Sequence, residues 1–298
     1  MALVKSDIGP LLKAGLKTQF FQTFGETPAM YDQIATIIHS DKDTEQYAWL
    51  GALPGVREFL DERKSQDLTA YSYAIKNKTW ESTISVERAA LEDDLYGQIP
   101  LRIKQMAMSA KQHLDSLTFG VLASGFTTPC YDGQPFFGTH NQGGAQSNKG
   151  TDPLTSAGLQ AAVTAMMRYT DDQGKVAGVN PDLLVVSPEL YWEARTLLES
   201  TYYPDPLVTA NQDLGINPLM GSLKLLTSPY LASTSNWYIM DTKRIVRPVV
   251  LQMRKDFEFT ALDDEENAFM RDTFMYGVRA RYNCGFGDWR GAYGSLVA

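Results

Sequence analysis

Apolar positions along this chain change their spacing several times, and each change marks an element. Between residues 99 and 124, Ile99, Ile103, Met106, Ala110, Leu114, Leu117 and Val121 step by threes and fours, while Arg102, Lys104, Lys111 and Asp115 point elsewhere. That spacing predicts a long amphipathic helix. Pro100 suits its first turn, Gly125 suits its C-terminal stop, and at 1.5 Å per residue it is about 40 Å long. Nearer the N-terminus, Leu12, Leu16 and Phe20 recur at i, i+4, and Ile34, Ile37 and Ile38 recur at helical spacing, with Gly9-Pro10 and Pro28 as breaks. Neither piece is long enough to bury an apolar face alone, so both must lie against something else, another subunit among the candidates.

Other stretches alternate with period two. Ala70 to Ile75 puts Tyr71, Tyr73 and Ile75 on one face, and a second run starts at Trp80 and continues through Ile84 and Val86. With Lys76-Asn77-Lys78 between them, the two runs predict an extended, exposed β-hairpin that needs a partner elsewhere. At the far end, Phe274, Tyr276, Val278, Ala280, Tyr282 and Cys284 share one face of a long final strand, with Arg279 and Arg281 on the other. Ile245 to Met253 and Phe257-Glu258-Phe259 are two further strand-like segments.

The middle of the chain mixes both periods. Leu159, Ala162, Val163, Met166 and Met167 form a helical face, and Leu183-Leu184-Val185-Val186 is a buried-strand run. Ser187-Pro188-Glu189 then starts a helix through Leu190, Ala194, Leu197 and Leu198, with Ser as N-cap and Pro at the first position. A Pro/Asn/Asp-rich loop over 201–221 precedes short strands around Leu223–Leu226 and Trp237–Met240. Residues 127–152 are loop-like around the apolar island Pro135-Phe136-Phe137.

Composition narrows what such a chain does. Its 298 residues carry 27 Lys and Arg against 35 Asp and Glu, a net charge of −8. The balance disfavours a protein that grips DNA through net charge, and it fits a chain that lives near acidic polymers without adhering to them. Cys130 and Cys284 are far apart and predict free buried thiols rather than a disulfide framework. No run approaches a membrane span, and the N-terminal residues have no continuous apolar signal-peptide core. The chain is expected to be made and kept in a cytosol.

A search for catalytic chemistry returns little. A P-loop needs Gly five positions before Gly174-Lys175, where Tyr169 stands. Gly285, Gly287 and Gly291 miss the dinucleotide spacing, and there is no G-x-S-x-G elbow. His39, His113 and His140 lack H-E-x-x-H spacing, and His113 is most simply a partly buried polar residue. Asp132 and His140 could supply a metal or general-base site, but a turn with a buried aromatic anchor is the simpler and preferred reading. The acidic groups Glu92-Asp93-Asp94 and Asp263-Asp264 are explained by a helix dipole and by solvation. Arg244, Arg247, Arg279 and Arg281 could touch nucleic acid, yet no basic surplus or aromatic platform supports them. No catalytic residue, metal or cofactor is expected.

Specific segments carry a resemblance. Tyr47-Ala48-Trp49-Leu50-Gly51-Ala52-Leu53-Pro54-Gly55-Val56-Arg57-Glu58 resembles part of the Mu-like phage major head subunit family. So do Ile75 to Arg88 running into Leu91-Glu92-Asp93-Asp94, Tyr131-Asp132-Gly133-Gln134-Pro135-Phe136-Phe137, and Tyr276-Gly277-Val278-Arg279-Ala280-Arg281, in the same order. The resemblance implies an α+β chain with the tailed-phage major capsid fold of the Hong Kong 97 type. It implies an N-terminal arm over 1–45, an extended E-loop over 46–92 and a P-domain with the spine helix over 93–152. An A-domain over 153–243 and the P-domain's C-terminal strands over 244–298 would follow.

The function so implied is a major capsid protein that self-assembles into hexamers and pentamers of an icosahedral head enclosing double-stranded DNA, contacted non-specifically. Its other partners would be a scaffolding protein and a portal, with a decoration protein as a further candidate and no membrane. It would assemble in the bacterial host cytoplasm and end in the virion. No long charged helical leader precedes the arm, so no built-in scaffolding domain is expected. Trp49, Tyr73 and Trp80 are expected to pack against neighbouring subunits, with Arg279 and Arg281 held in subunit contacts. Two rival readings are an encapsulin-like nanocompartment shell protein and a soluble α/β enzyme using acidic residues.

Overall fold

A computed structural model of the chain describes residues 8–47, 73–87, 98–202, 216–262 and 273–297. Two sheets organise it. The first has the order β1-β11-β12-β4, from Ala35–His39, Val249–Leu262, Thr273–Phe286 and Lys78–Glu87. β11, β12 and β4 are antiparallel neighbours, while β1 joins β11 in parallel, with Ala35 opposite Val249.

One face of this sheet is covered by helices. The inward residues of β12, Tyr276, Val278, Ala280, Tyr282 and Cys284, are buried as their alternation predicts. They meet Ile99, Ile103, Met106 and Leu114 of the long helix α3 (Gln98–Ser124). Helix α1 (Ile8–Glu26) lays Leu16 and Phe20 into the same core. Full burial of a side chain such as Phe20 contributes about 1.5–3 kcal/mol. Leu16 and Phe20 of the N-terminal helix are therefore buried against the chain's own sheet and long helix. The short α2 (Tyr31–Ile34) is held by Asp115 of α3, whose Oδ1 accepts the backbone N–H groups of Met30 at 2.9 Å and Tyr31 at 2.7 Å.

Three local expectations are corrected. The helical spacing of Ile34, Ile37 and Ile38 spans the end of α2 and a strand, because residues 35–39 extend to pair with β11 and leave Ile37 exposed. The expected hairpin about Lys76-Asn77-Lys78 is not a hairpin. β3 (Ala74–Lys76) pairs with β2 (Thr44–Gln46), β4 pairs with β12, and the chain runs on extended between them. Asn77 is buried where a turn would expose it, and its Nδ2 donates to the Lys42 carbonyl at 2.8 Å. Of the expected strand-like segments, 249–253 and 257–259 are joined in one 14-residue strand, β11, with irregularities between Met253 and Glu258, while residues 245–248 lie outside any strand.

The second sheet has the order β7-β13-β10-β8-β9, from Lys149–Gly150, Ala292–Ser295, Trp237–Met240, Leu183–Val186 and Lys224–Thr227. Central strands β8 and β10 are buried at every position, consistent with a sheet covered on both faces. Helices α4 (Ser156–Met167) and α5 (Tyr191–Glu199) pack around it through Leu159, Ala162, Met166, Ala194, Leu197 and Leu198. Thr155 caps α4 by accepting the Gly158 N–H at 3.1 Å. Ser187 is not the expected side-chain cap, since its hydroxyl donates to the Thr234 carbonyl.

Phe136 and Phe137 form the joint between the two sheets. Phe136 stacks on Phe286, the last residue of β12, with centroids 4.5 Å apart, and Phe137 meets Tyr238 of β10 at 5.4 Å. Asn148 is fully buried beside them. Its Nδ2 reaches the carbonyls of Phe136, Trp289 and Ala292, and its Oδ1 accepts the Gly138 N–H.

Candidate functional site

Among the described residues, a cleft, two surfaces and one buried centre stand out. At the base of β4, Trp80 lies against His113 of α3 with centroids 4.4 Å apart, and its Nε1 donates to the Tyr282 carbonyl at 3.0 Å. His113 Nδ1 lies 2.7 Å from the Tyr282 hydroxyl, and burial lowers the imidazole's pKa below its ordinary value. Trp80, Glu81, Ser109, His113 and Phe257 line a cleft between β4 and the helix. Tyr73 is tied nearby: its hydroxyl accepts the Phe286 N–H at 2.9 Å and its carbonyl accepts the Tyr47 N–H. Trp49 lies outside the described residues, as do Glu92-Asp93-Asp94 and Asp263-Asp264.

The outer face of the first sheet carries charges of alternating sign. Exposed Arg279 sits in register with Glu81 on one side and Glu258 on the other. Directly opposed residues of an antiparallel pair share a face, so this arginine is flanked by two acids. Arg281 donates to Asp43 at 3.0 Å, with Arg254 3.8 Å from the same carboxylate. The other two arginines singled out in the sequence have partners inside the chain. Arg244 pairs with Asp288 at 2.9 Å, and Arg247 donates to the carbonyls of Asp32, Ala35 and Thr242.

Beside α5 the chain exposes large apolar side chains. Trp192 is 70% exposed, Ile216 82%, and Tyr202 and Met220 are also open to solvent. A cluster of this kind marks an interaction surface.

The buried centre lies where the segment of residues 129–140 meets the turn before β13. Arg290 is 2% exposed. It donates to Asp172 at 2.5 Å, to the Thr170 carbonyl at 2.8 Å and to the Tyr131 hydroxyl at 3.0 Å. Burial works against its charge, but Asp288, Tyr131 and Asp172 outweigh this and raise its pKa. Next to it, His140 stacks on Trp289 with centroids 4.0 Å apart and an interplanar angle of 4°. His140 Nδ1 lies 2.6 Å from Asp132 Oδ2, and the Cys130 thiol donates to Asp132 Oδ1 at 3.1 Å. Burial, then the bond to Asp132, pushes the Cys130 thiol well above its ordinary pKa. Burial pushes Cys284 up to about 12, so neither cysteine is an activated nucleophile.

The preferred sequence reading of residues 132–140, a turn with an aromatic anchor, accounts for Phe136 and Phe137. It omits Cys130 and Arg290. The Asp288-Trp289-Arg290 run, a charged pair flanking an indole in an otherwise apolar closing segment, was the available signal for the arginine.

Comparison with known proteins gives a consistent result. The model of the family described as Mu-like prophage major head subunit gpT matches residues 10–153, 145–231 and 232–297. The Mu-like prophage FluMu major head subunit of Haemophilus influenzae is 28% identical, covering 100% of this chain and 77% of that protein. The major capsid protein of Escherichia phage Mu is 26% identical, over 89% of this chain and 66% of that protein. Among solved structures, the procapsid of bacteriophage JBD30 superposes with TM-score 0.56 at 29% identity, covering 97% of this chain and 76% of that one. A virus-like particle from Pyrococcus furiosus shares the fold at 9% identity, with TM-score 0.55 over 94% of this chain and 98% of that one.

Proposed function

The chain belongs to the Mu-like prophage major head subunit family, and on that premise we propose that copies of it close into hexamers and pentamers of an icosahedral shell that encloses double-stranded DNA. It is a major capsid protein of the tailed-phage fold, a structural component of the virion and not an enzyme. The observation that supports the assembly reading is the coexistence, among the described residues, of two exposed surfaces of different chemistry. One is the sheet face bearing Arg279 between Glu81 and Glu258; the other is the apolar cluster of Trp192, Tyr202, Ile216 and Met220. Heterologous contacts between unlike surfaces generate rings and closed shells.

In this reading residues 1–45 are the arm, 46–92 the E-loop, 93–152 and 244–298 the P-domain, and 153–243 the A-domain. The apolar cluster turns toward the symmetry axes, and Trp49, Tyr73, Trp80, Arg279 and Arg281 lie along contacts between subunits. A scaffolding protein and a portal are the assembly partners. The net charge of −8 keeps an inner wall from gripping packaged DNA. Electron microscopy of the purified chain tests the proposal: shells or capsomer-sized rings are expected, and a stable monomer at high concentration overturns it. A nanocompartment shell is the second reading, favoured only by the shared fold with the archaeal particle. Particles that hold an enzyme instead of nucleic acid would establish it.

A further inference from the structure

We propose that Cys130, Asp132 and His140 form a site for a zinc-type divalent metal, built into the segment that links the long helix to the second sheet. The Cys130 sulfur, an Asp132 oxygen and a His140 ring nitrogen all lie within 4.8 Å of one another. In a tetrahedral zinc centre, with bonds of about 2.0–2.3 Å, ligand atoms stand roughly 3.3–3.8 Å apart. The site reaches that spacing by side-chain shifts of about an ångström from the 2.6 and 3.1 Å separations it has.

Its backbone is fixed in advance. The Cys130 N–H donates to the Gln134 carbonyl and the Gly133 N–H to the Cys130 carbonyl, with Gly133 at φ +79° closing the turn. The ring of His140 is clamped flat on Trp289.

The hydrogen bonding around His140 points to a cation. Nδ1 faces an Asp132 carboxylate oxygen, and Nε2 faces the Phe136 carbonyl at 3.3 Å. A neutral imidazole has one N–H, so with acceptors at both nitrogens one lone pair confronts an oxygen. A metal on Nδ1 removes that conflict. Nε2–H then donates to the Phe136 carbonyl, the outer-sphere bond that orients a metal-binding histidine. The thiol, imidazole and carboxylate together suit zinc or cobalt(II) rather than magnesium or calcium. On binding, the metal displaces the thiol proton to solvent, the imidazole keeps its single proton on Nε2, and a water completes the coordination. The role is a staple: it would tie the turn at Cys130 and Asp132 to His140, whose ring lies on Trp289.

The test uses the full chain and the metal alone. Cys284→Ala leaves Cys130 as the sole thiol, since the sequence has two cysteines. Loaded with Co2+, this variant is expected to show a thiolate-to-cobalt charge-transfer band that Zn2+ abolishes, and the wild type to retain one Zn2+ per chain after dialysis. Cys130→Ser and His140→Gln are expected to weaken Zn2+ binding by at least ~10–100-fold. Absence of the band from both the wild type and Cys284→Ala overturns the site, as does Zn2+ retention unchanged in Cys130→Ser. The cobalt spectrum decides even if the Cys130 and His140 variants fail to fold.

Discussion

The indole of Trp80 and the imidazole of His113 lie 4.4 Å apart, fastening the start of strand β4 to the long helix. Trp80→Ala removes that contact and the bond to the Tyr282 carbonyl. Because the indole is half-buried, the expected loss is about 2–3 kcal/mol, below that of a full core aromatic. If Trp80 also touches a neighbouring subunit, shell yield falls further than this loss explains, whereas Trp80→Phe preserves most of it. Denaturant unfolding of the soluble subunit, set beside sedimentation of shells, measures both. Parallel losses would argue against a contact role.

His113 has a pKa depressed by burial. The unfolded chain therefore binds more protons than the folded one in the window just below pH 6.5, so stability rises with pH there. This contribution is complete above the unfolded pKa and is lost as pH falls toward the folded value. The groups facing the ring are the Tyr282 hydroxyl and Trp80, with Glu81 lining the same cleft. Melting temperatures between pH 7 and pH 5 are expected to fall more steeply in the wild type than in His113→Gln.

Arg290 is the cation of a buried cluster that holds Asp172 and Asp288. Arg290→Ala removes the buried guanidinium from Asp172 and Asp288, the latter keeping Arg244, and is expected to cost about 3–5 kcal/mol. Arg290→Lys keeps the charge but lacks the fork that reaches Thr170, Tyr131 and Asp172 together, so an intermediate loss is expected in urea unfolding.

Gly294 leaves no room for a methyl group. A Cβ there would stand 2.9 Å from the Phe137 ring and 3.0 Å from Phe126. Gly294→Ala is expected to destabilise by about 1–3 kcal/mol, and Phe137→Leu in the same chain is expected to recover part of it. Thermal unfolding of the two single variants and the double variant measures the coupling.

Asp115 anchors the N-terminal segment. Burial raises its pKa, partly offset by the N–H groups of Met30 and Tyr31. Asp115→Ala orphans two donors at about 1–3 kcal/mol, and Asp115→Asn, which keeps an acceptor oxygen, is expected to lose less. Amide exchange at Met30 and Tyr31 checks this directly.

The elements legible in the sequence are those whose burial follows one period. The helix through Ile103 and Leu114 and the strand through Tyr276 and Tyr282 each bury one fixed face, and the run Leu183–Val186 is apolar and buried at every position. The misread segments are decided by partners distant in sequence, 35 residues away for Asn77 and Lys42 and more than 200 for β1 and β11. Ile37 and Ile38 extend because β11 offers them a strand edge, and Asn77 is buried with its side-chain and backbone N–H groups donated to the Lys42 and Asp43 carbonyls. Polar residues that match a turn locally can be buried when remote carbonyls take their hydrogen bonds. The polar centre was half-legible for a similar reason: Asp132 and His140 are close in sequence, whereas Cys130 gained meaning only through its bond to Asp132, and Arg290 is 118 residues from Asp172.

The parallel pairing of Ala35–His39 with Val249–Met253 sets an order of events during synthesis. At ~5–20 residues per second, roughly 10–40 s separate the making of residue 39 from that of residue 249. Throughout that interval β1 has no strand to join, and the helices beside it cannot reach the sheet they will cover. The second sheet's core strand β8 and the long helix are complete while the first sheet still lacks β11 and β12. Docking of the N-terminal segment is thus a closing step available only to nearly finished chains, so truncated or stalled products would carry an uncapped β11 edge or none at all.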